Sequence, residues 1–323
     1  MNYVKFVSTI SPSSTFIKPS PYGSMVRRLD LSRIVYESRP STTARLLRRT
    51  HNSLEEFVAP QISFGYICLV ALEHCKRLRL LDLALVTHSV SLATLFTHIQ
   101  DLQNLLVLHF PRCSVFDNSR SNFRWPPRIR KFSLAGGVGD SFFINTSVPP
   151  TLRELQISHC PFVKDTAVKY LLNRLSSQLT VLSVTYHIPY MPFNALDKVL
   201  VICPNLVQLT IAVDYVSSRI FNEENTPQGH PLRRLDLESS GTLGVAKKIT
   251  PDDLFIAIAE ERLSELRIVR VSSRLLWSEK SKGDVRDLVD LLESRAAAKG
   301  ETGAGVWIFD SGGVSRRERF EGI

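Results

Sequence analysis

The feature that most constrains this chain is a six-residue phrase, L-x-x-L-x-L, in which other apolar residues replace some of the leucines. Clear copies begin at Val26, Leu78, Leu105, Ile129, Leu152, Leu179, Leu206, Leu232 and Leu263. A degenerate copy, LEEFVA, begins at Leu54, so ten units follow one another at intervals of 23 to 31 residues. A phrase that returns so regularly indicates one supersecondary unit copied along the chain.

The phrase also predicts how each unit folds. Its L-x-L part alternates, so a short strand turns its leucines inward and the intervening residues outward. Parallel strands from neighbouring units need a return segment between them. Phrase and period match the leucine-rich-repeat signature. The predicted fold class is therefore an α/β leucine-rich-repeat solenoid, a horseshoe with a parallel sheet on its concave face and helices and turns on its convex face. A doubly wound fold or a TIM barrel also alternates strands and helices, but neither repeats one consensus phrase.

The return segments are of two kinds. Residues 90–99, VSLATLFTHI, and residues 167–175, AVKYLLNRL, place apolar residues at helical spacing. A further helix is predicted to begin at Thr250-Pro251, with Asp253 completing a capping box. The two shortest units carry Gly, Asn, Ser and a closing Pro-Pro instead, so their returns, residues 111–127 and 135–150, are predicted to be turns.

The ends of the chain predict caps for the repeats. Residues 1–25 are interpreted as an extended, Ser/Pro-rich lead-in, residues 26–280 as the repeats, and residues 281–323 as a C-terminal cap. In that cap, the spacing of Val285, Leu288 and Leu292 predicts a helix that ends before Gly300. The stretch VWIFD then predicts a last strand, followed by a polar tail.

Composition narrows the classes of function. The chain has five cysteines, Cys68, Cys75, Cys113, Cys160 and Cys203. Their odd number and the absence of an apolar export signal indicate reduced thiols in the cytoplasm or nucleus. Because none has C-x-x-C spacing, neither a metal site nor a cofactor is predicted. The Gly-rich stretch Gly136–Phe143 lacks the lysine that closes a phosphate loop, and no His or Asp partner is identified for Ser141. The chain is thus predicted not to be an enzyme, with a hydrolase centred on Ser141 as the alternative.

Three of the cysteines occupy fixed positions in the repeats. Cys75 and Cys203 each stand three residues before a phrase, as CKRL and CPNL, and ISHCPFVKDTAVKYL carries Cys160 directly after a strand. This arrangement resembles the cysteine-containing repeat subtype of F-box leucine-rich-repeat proteins. The lead-in KPSPYGSMVRRLDLS is similar to the stretch that joins F-box and repeats in fungal members. The resemblance implies a non-catalytic subunit of a Skp-cullin-F-box ubiquitin ligase that captures a protein substrate with its repeats for ubiquitin-dependent degradation.

One part of that family pattern is missing from the chain. An F-box is a helical module that begins near Leu-Pro-x-Glu and docks on a Skp-type adaptor, whereas only 25 residues precede the first phrase here. Two interpretations follow: the chain is a piece of a protein whose F-box lies upstream, or it is a repeat adaptor without a ligase connection. Adaptor binding is expected only in the first case. In either case we expect a monomer within a larger complex.

Strand alternation also identifies candidate partner-binding residues. Outward positions of the phrase should face the concave side, and the candidates there are Asp82, His109, Gln156, Val181, Asp236 and Arg267. Loops beyond two of the strands add Tyr186, Tyr190 and Tyr215. Aromatic residues on the loops of a rigid scaffold often anchor partners. The competing interpretation is that these rings pack against the next repeat.

The chain is basic, with a net charge of +9 at neutral pH. Near the first phrase, a candidate patch for an acidic partner consists of Arg27, Arg28, Arg45, Arg48 and Arg49. A nucleic-acid groove would interleave aromatic residues for base stacking, and only Tyr36 does so here. Docking of an acidic protein is therefore preferred, and nucleic-acid binding stays as the alternative.

Overall fold

The computed structural model describes residues 3–12, 20–34, 39–115, 123–242 and 249–310, and places residues 318–319 in a strand. The chain divides into two compact units, Met1–Leu152 with His159–Phe162, and Arg153–Ser158 with Val163–Ile323. Each unit contains a sheet of parallel strands that successive return segments connect. This is the architecture of leucine-rich repeats, and it confirms the predicted fold class.

The sheet of the first unit follows the phrases along the chain. Its strands are β1 (Arg28–Asp30), β2 (Glu56–Val58), β3 (Leu80–Asp82), β4 (Val90–Ser91), β5 (Val107–His109), β6 (Ser114–Val115) and β7 (Lys131–Leu134). Strands β1, β2, β3, β5 and β7 pair in that order, all parallel, while β4 and β6 form a separate pair. The register aligns one buried position of each phrase, Leu29, Phe57, Leu81, Leu108 and Phe132. The inward half of the predicted alternation is confirmed by this ladder.

The helices of the first unit confirm one prediction and correct two. They are α1 (Tyr3–Ile10), α2 (Pro40–Thr50), α3 (Tyr66–Leu72), α4 (Leu92–Ile99) and α5 (Asp140–Asn145). Helix α4 is confirmed, and the Ser91 hydroxyl caps it by accepting a hydrogen bond from the Thr94 amide at 3.4 Å. The extended lead-in is wrong, because α1 has apolar residues at helical spacing from Tyr3 to Ile10. The second turn-only return is also wrong: α5 forms there and buries Phe142 completely.

Aromatic side chains fill the core of the first unit where the returns are short. The Trp125 ring centroid lies 4.7 Å from that of Phe96 and 5.0 Å from that of Phe132. The indole N–H of Trp125 donates to the Thr146 hydroxyl at 3.3 Å, which satisfies the ring's one polar atom. Large rings thus occupy volume that a longer helix occupies in other units.

The second unit continues the same pattern. Its strands are β8 (Glu154–Ile157), β9 (Val181–Val184), β10 (Gln208–Ala212), β11 (Arg234–Glu238), β12 (Ile268–Ser272), β13 (Gly305–Phe309) and β14 (Glu318–Arg319). Strands β8 to β13 pair in chain order, all parallel, and β14 pairs antiparallel with β13. Strand β13 confirms the last strand predicted from VWIFD.

Helices pack behind this second sheet. They are α6 (Asp165–Leu175), α7 (Val199–Ile202), α8 (Pro251–Ala259), α9 (Trp277–Lys280) and α10 (Lys282–Ala298). The capping box of α8 is confirmed, since the Thr250 amide donates to the Asp253 carboxylate at 2.7 Å. The predicted cap helix is α10, which buries its apolar stripe and is followed by Gly300 in the left-handed region (φ 71°).

The register of β12 corrects the sequence interpretation. We expect the last phrase to begin at Leu263, but β12 pairs Leu235 with Val269 and Asp236 with Arg270, so the phrase begins at Leu266. In the expected register Leu266 and Ile268 would face the core, and alternation would turn Arg270 inward with them. A buried unpaired guanidinium is costly, whereas the observed register buries Val269 and Val271.

The cysteines of the repeat motif lie in the core. Cys75, Cys160 and Cys203 are fully buried, as predicted for Cys160. Burial raises the pKa of the Cys75 and Cys203 thiols to about 12. The Cys75 thiol donates to the Ala71 carbonyl oxygen and the Cys160 thiol to that of Leu134, both at 3.7 Å. At neutral pH Cys75 and Cys203 are therefore protonated packing residues rather than nucleophiles.

Candidate functional site

One side of the second sheet carries the side chains that alternate with its buried ladder. We call it the open face, and its residues are Glu154, Gln156, Val181, Ser183, Gln208, Thr210, Arg234, Asp236, Ile268 and Arg270. Each keeps partial solvent exposure except Asp236. The register places Gln156 opposite Ser183, and Val181 between Glu154 and Gln208. The predicted candidates Gln156, Val181 and Asp236 thus share one face.

A charged network stands at one end of the open face. The Asp236 carboxylate is only 6% exposed and accepts hydrogen bonds from Arg234 Nε at 2.9 Å and Nη2 at 2.8 Å. Arg270 Nη1 donates to the same carboxylate at 3.3 Å, and the Thr210 hydroxyl lies 3.5 Å from it. Two guanidiniums thus compensate one buried carboxylate, the condition under which a buried charge is tolerated.

Neighbouring groups respond to this network. Its hydrogen bond to Asp236 raises the pKa of Arg234, which remains cationic. Burial raises the pKa of Glu238, and the negative charge of Asp236 raises it further. Arg270 lies with its guanidinium carbon 5.2 Å from the centroid of the Phe309 ring, a cation–π arrangement. The result is a fixed, partly exposed pair of arginines, which suits the recognition of polar groups on a partner.

Arg267, also predicted for this face, does not lie on it. It precedes β12, and its amide donates to the Arg233 carbonyl oxygen at 3.0 Å. Its guanidinium pairs with Glu265 at 3.6 Å and with Glu301. Arg270 holds the position assigned to Arg267, because the phrase begins three residues later. Sequence reasoning missed Arg270, although the overlapping phrase LRIVRV at Leu266 signals it.

The first unit brings Asp82 and His109 together. These two residues pair across β3 and β5, on the side away from the buried ladder. Burial lowers the pKa of His109, although the nearby Asp82 charge opposes the shift. The Asp82 carboxylate also accepts a hydrogen bond from the Ala84 amide at 2.9 Å, which fixes the turn after β3. Burial therefore favours the neutral form of the His109 imidazole on this face.

The three candidate tyrosines have different environments. Tyr190 is 60% exposed, Tyr186 is half-buried, and Tyr215 is 5% exposed. The interpretation of Tyr215 as an exposed loop anchor is wrong. Its hydroxyl accepts a hydrogen bond from the Ile188 amide at 2.8 Å and so ties the loop after β9 to the next repeat. Tyr190 is the candidate whose ring is available to a partner.

Of the five arginines near the first phrase, Arg27 directly precedes β1, Arg28 begins it, and the other three lie in α2. Arg27 pairs with Glu55 at 3.8 Å, and Arg28 pairs with Asp30 at 3.5 Å and with Glu56 at 3.6 Å. Arg45, Arg48 and Arg49 belong to α2, where Arg48 and Arg49 are exposed and Arg45 is half-buried. Carboxylates therefore offset part of the charge that suggested an acidic or nucleic-acid partner.

Among the residues that the structure describes, His, Cys, Asp and Glu side chains form no group of three or more that could hold a metal ion. No helix in the same ranges combines the length and apolarity needed to cross a membrane.

Comparisons with known proteins identify relatives in two yeasts. The F-box protein YDR306C of Saccharomyces cerevisiae is 39% identical over 298 residues, 91% of this chain and 61% of that protein. Protein pof5 of Schizosaccharomyces pombe is 32% identical over 296 residues, 91% of this chain and 82% of that protein. The chain thus spans less than two thirds of the length of YDR306C. No protein-family model matches it. Among solved structures, an internalin from Listeria monocytogenes aligns over 95% of this chain and 86% of its own, with a TM-score of 0.45 and 12% identity.

Proposed function

The chain belongs to the same family as the F-box protein YDR306C and Protein pof5, and from this premise we propose that it recognises substrates for a Skp-cullin-F-box ubiquitin ligase. Its role is binding rather than catalysis. The repeats capture a protein substrate on the open face, and the ligase marks that substrate for degradation. The five cysteines are free thiols, which supports a location in the reducing cytoplasm or nucleus.

The single observation that carries the substrate-binding part is the network around Asp236. A buried carboxylate that holds two partly exposed arginines costs side-chain freedom, yet it presents donors in fixed geometry. Fixed donors on a rigid sheet lose little further entropy when a partner binds. Half-buried Val181, Ser183 and Gln208 extend the same face with small or neutral side chains that a partner could approach closely.

The ligase part is supported by the similarity to an F-box protein, YDR306C, and by the cysteine pattern. Full burial of Cys75, Cys160 and Cys203 supports the cysteine-containing repeat subtype in which F-box proteins occur. The adaptor would dock on an F-box rather than on the repeats. A repeat adaptor without a ligase connection is the alternative.

Co-purification tests the ligase connection. The protein is tagged at its C-terminus at its own gene, so that any upstream segment is retained, and captured from cell extract. We expect a Skp-type adaptor and a cullin among the captured proteins, and accumulation of other captured proteins when the proteasome is inhibited. Capture of partners without adaptor or cullin would assign the protein to the repeat adaptors instead.

A matched pair of substitutions tests the open face. Ser183→Tyr places a ring in the middle of that face, whereas Ser294→Tyr places the same ring on the exposed side of α10. We expect Ser183→Tyr to reduce substrate capture at least tenfold while adaptor capture is unchanged, and Ser294→Tyr to reduce neither. Equal substrate capture by both variants would move the binding site away from the open face.

A further inference from the structure

A second group of arginines lies at the edge of the first sheet where its strands begin. The structure has a cavity of about 340 Å³ there, lined by Glu55, Arg77, Arg79, Asn104, Leu106 and Arg128. We call this cavity the arginine cleft. It lies in the first unit, whereas the open face belongs to the second, so nothing in the proposed function uses it.

The repeat geometry holds the cleft residues in place. The residue just before each strand is bound to its counterpart in the preceding unit: the Arg79 amide donates to the Glu55 carbonyl oxygen at 2.7 Å, and the Leu106 amide to that of Arg79 at 2.8 Å. The Asn104 side-chain amide donates to the Lys76 carbonyl oxygen at 2.9 Å, which fixes the turn beside Arg77. Adjacent parallel strands are about 4.8 Å apart, so side chains from four successive units line one cleft.

The cleft has an excess of positive charge. No carboxylate of the described residues forms a salt bridge with Arg77, Arg79 or Arg128, and all three are exposed. The one carboxylate in the lining belongs to Glu55, and Arg27 already pairs with it at 3.8 Å. Arg27 and Arg28 have partners within the chain, so the cleft arginines differ from them in keeping their donors for an external group.

We propose that the arginine cleft binds an acidic, extended segment of a partner protein through Asp or Glu carboxylates. Guanidiniums bind carboxylates through paired hydrogen bonds, and Leu106 and the Asn104 amide suit the apolar and backbone groups of a peptide. RNA fits less well, because the lining has no aromatic ring for base stacking.

The test uses fluorescence anisotropy with the full chain and four labelled probes. The probes are a peptide of about twelve residues that alternates Glu with Ala and Leu, its Gln counterpart, a phosphoserine counterpart, and a single-stranded RNA of matched length. Arg79→Gln with Arg128→Gln removes two charges from the cleft. Arg219→Gln with Arg286→Gln removes two exposed charges from the second unit, at residues outside every candidate site, and is the matched control.

We expect the Glu peptide to bind, more weakly as salt rises, and the Gln peptide not to bind. The cleft variant should lose at least tenfold in affinity and the control less than twofold. Hydrogen exchange should slow on peptide binding within residues 76–81, 103–108 and 127–132. An equal loss of affinity in both variants would show that binding depends only on net charge, and it would overturn the proposal. Tighter, cleft-dependent binding of RNA or of the phosphoserine peptide would assign the cleft to another ligand class, and absence of Glu-peptide binding would remove the site.

Discussion

Replacing Asp236 with Asn removes the central charge of the network at one end of the open face. Asn retains the shape of Asp and one acceptor oxygen. Its NH2 group, however, cannot accept the hydrogen bonds that the guanidinium groups now donate to the carboxylate at 2.8 to 3.3 Å. A hydrogen bond to a charged group contributes roughly 1.5–3 kcal/mol. Because the Arg234 side chain is 33% exposed, water replaces part of that contribution. We therefore expect Asp236→Asn to lower the local free energy of opening by about 2 kcal/mol.

Hydrogen exchange measures this loss locally, which suits a chain of two units because it requires no single unfolding transition. A change of about 2 kcal/mol predicts roughly 30-fold faster exchange in β10, β11 and β12. Glu261→Gln is the control, since it breaks a pair with Arg295 at 2.6 Å in which the Glu261 side chain is 58% exposed. We expect exchange in the three strands to be unchanged in that variant.

The Asp236→Asn variant has a second readout, the pKa of Glu238. Burial is the main cause of that residue's raised pKa, but the charge of Asp236 adds to it and Arg270 opposes it. Without the Asp236 charge, the pKa of Glu238 should fall toward its ordinary value, as NMR of labelled glutamate would detect. Exchange in β11 equal to that of the parent, together with an unchanged Glu238 pKa, would refute the view that this network holds the open face.

Three further outcomes follow from buried contacts. Tyr215→Phe removes the oxygen that accepts from the Ile188 amide, so a thermal or urea melt should show a loss of about 1–3 kcal/mol, and exchange at Ile188 should accelerate. Burial lowers the pKa of His230 below its ordinary value of 6.5, so the unfolded chain gains a proton before the folded chain does as pH falls through that value. The free energy of unfolding should therefore drop as pH falls from about 7 through about 6.5, and urea titrations should show a shallower drop for His230→Gln. Gly136→Ala should cost about 2 kcal/mol or more in the same melts, because Gly136 has φ 85° and an added Cβ would overlap the Arg112 carbonyl oxygen.

The strand positions were predictable because one phrase encodes two physical requirements at once. The leucine spacing sets both which side chains are buried and where the next strand pairs, so an error in one would disrupt the other. This is why Leu155, Leu182 and Leu209 occupy equivalent places in neighbouring strands. The exception, at β12, arises because LSELRI and LRIVRV overlap and both satisfy the phrase. The two registers differ in the direction of the Arg270 side chain, which points into the core in one and away from it in the other.

The environment of the site was less predictable, because the burial of its side chains depends on residues and loops that do not follow the repeat. Alternation correctly turns Asp236 away from the core ladder, but it does not reveal that Arg234 and Arg270 then enclose it. Periodicity does not predict the environment of Tyr215 either, because its hydroxyl binds the Ile188 amide, which lies in an irregular loop.

In such a chain, the residues that form a surface cluster are one repeat apart rather than adjacent in sequence. The residues just before β2, β3 and β5, namely Glu55, Arg79 and Leu106, are separated by 24 and 27 positions, yet their backbones are hydrogen-bonded in succession. Read along the chain, Arg77 and Arg79 are two basic residues in a polar turn. By repeat position, Arg77 and Arg128 share one row and Arg79 stands in the next, and the described residues form no salt bridge with any of the three. Because a solenoid converts each repeat position into a row of neighbours about 4.8 Å apart, charge clusters should be sought by position within the repeat. A count of arginines along residues 27–49 instead selects a patch that carboxylates partly neutralise.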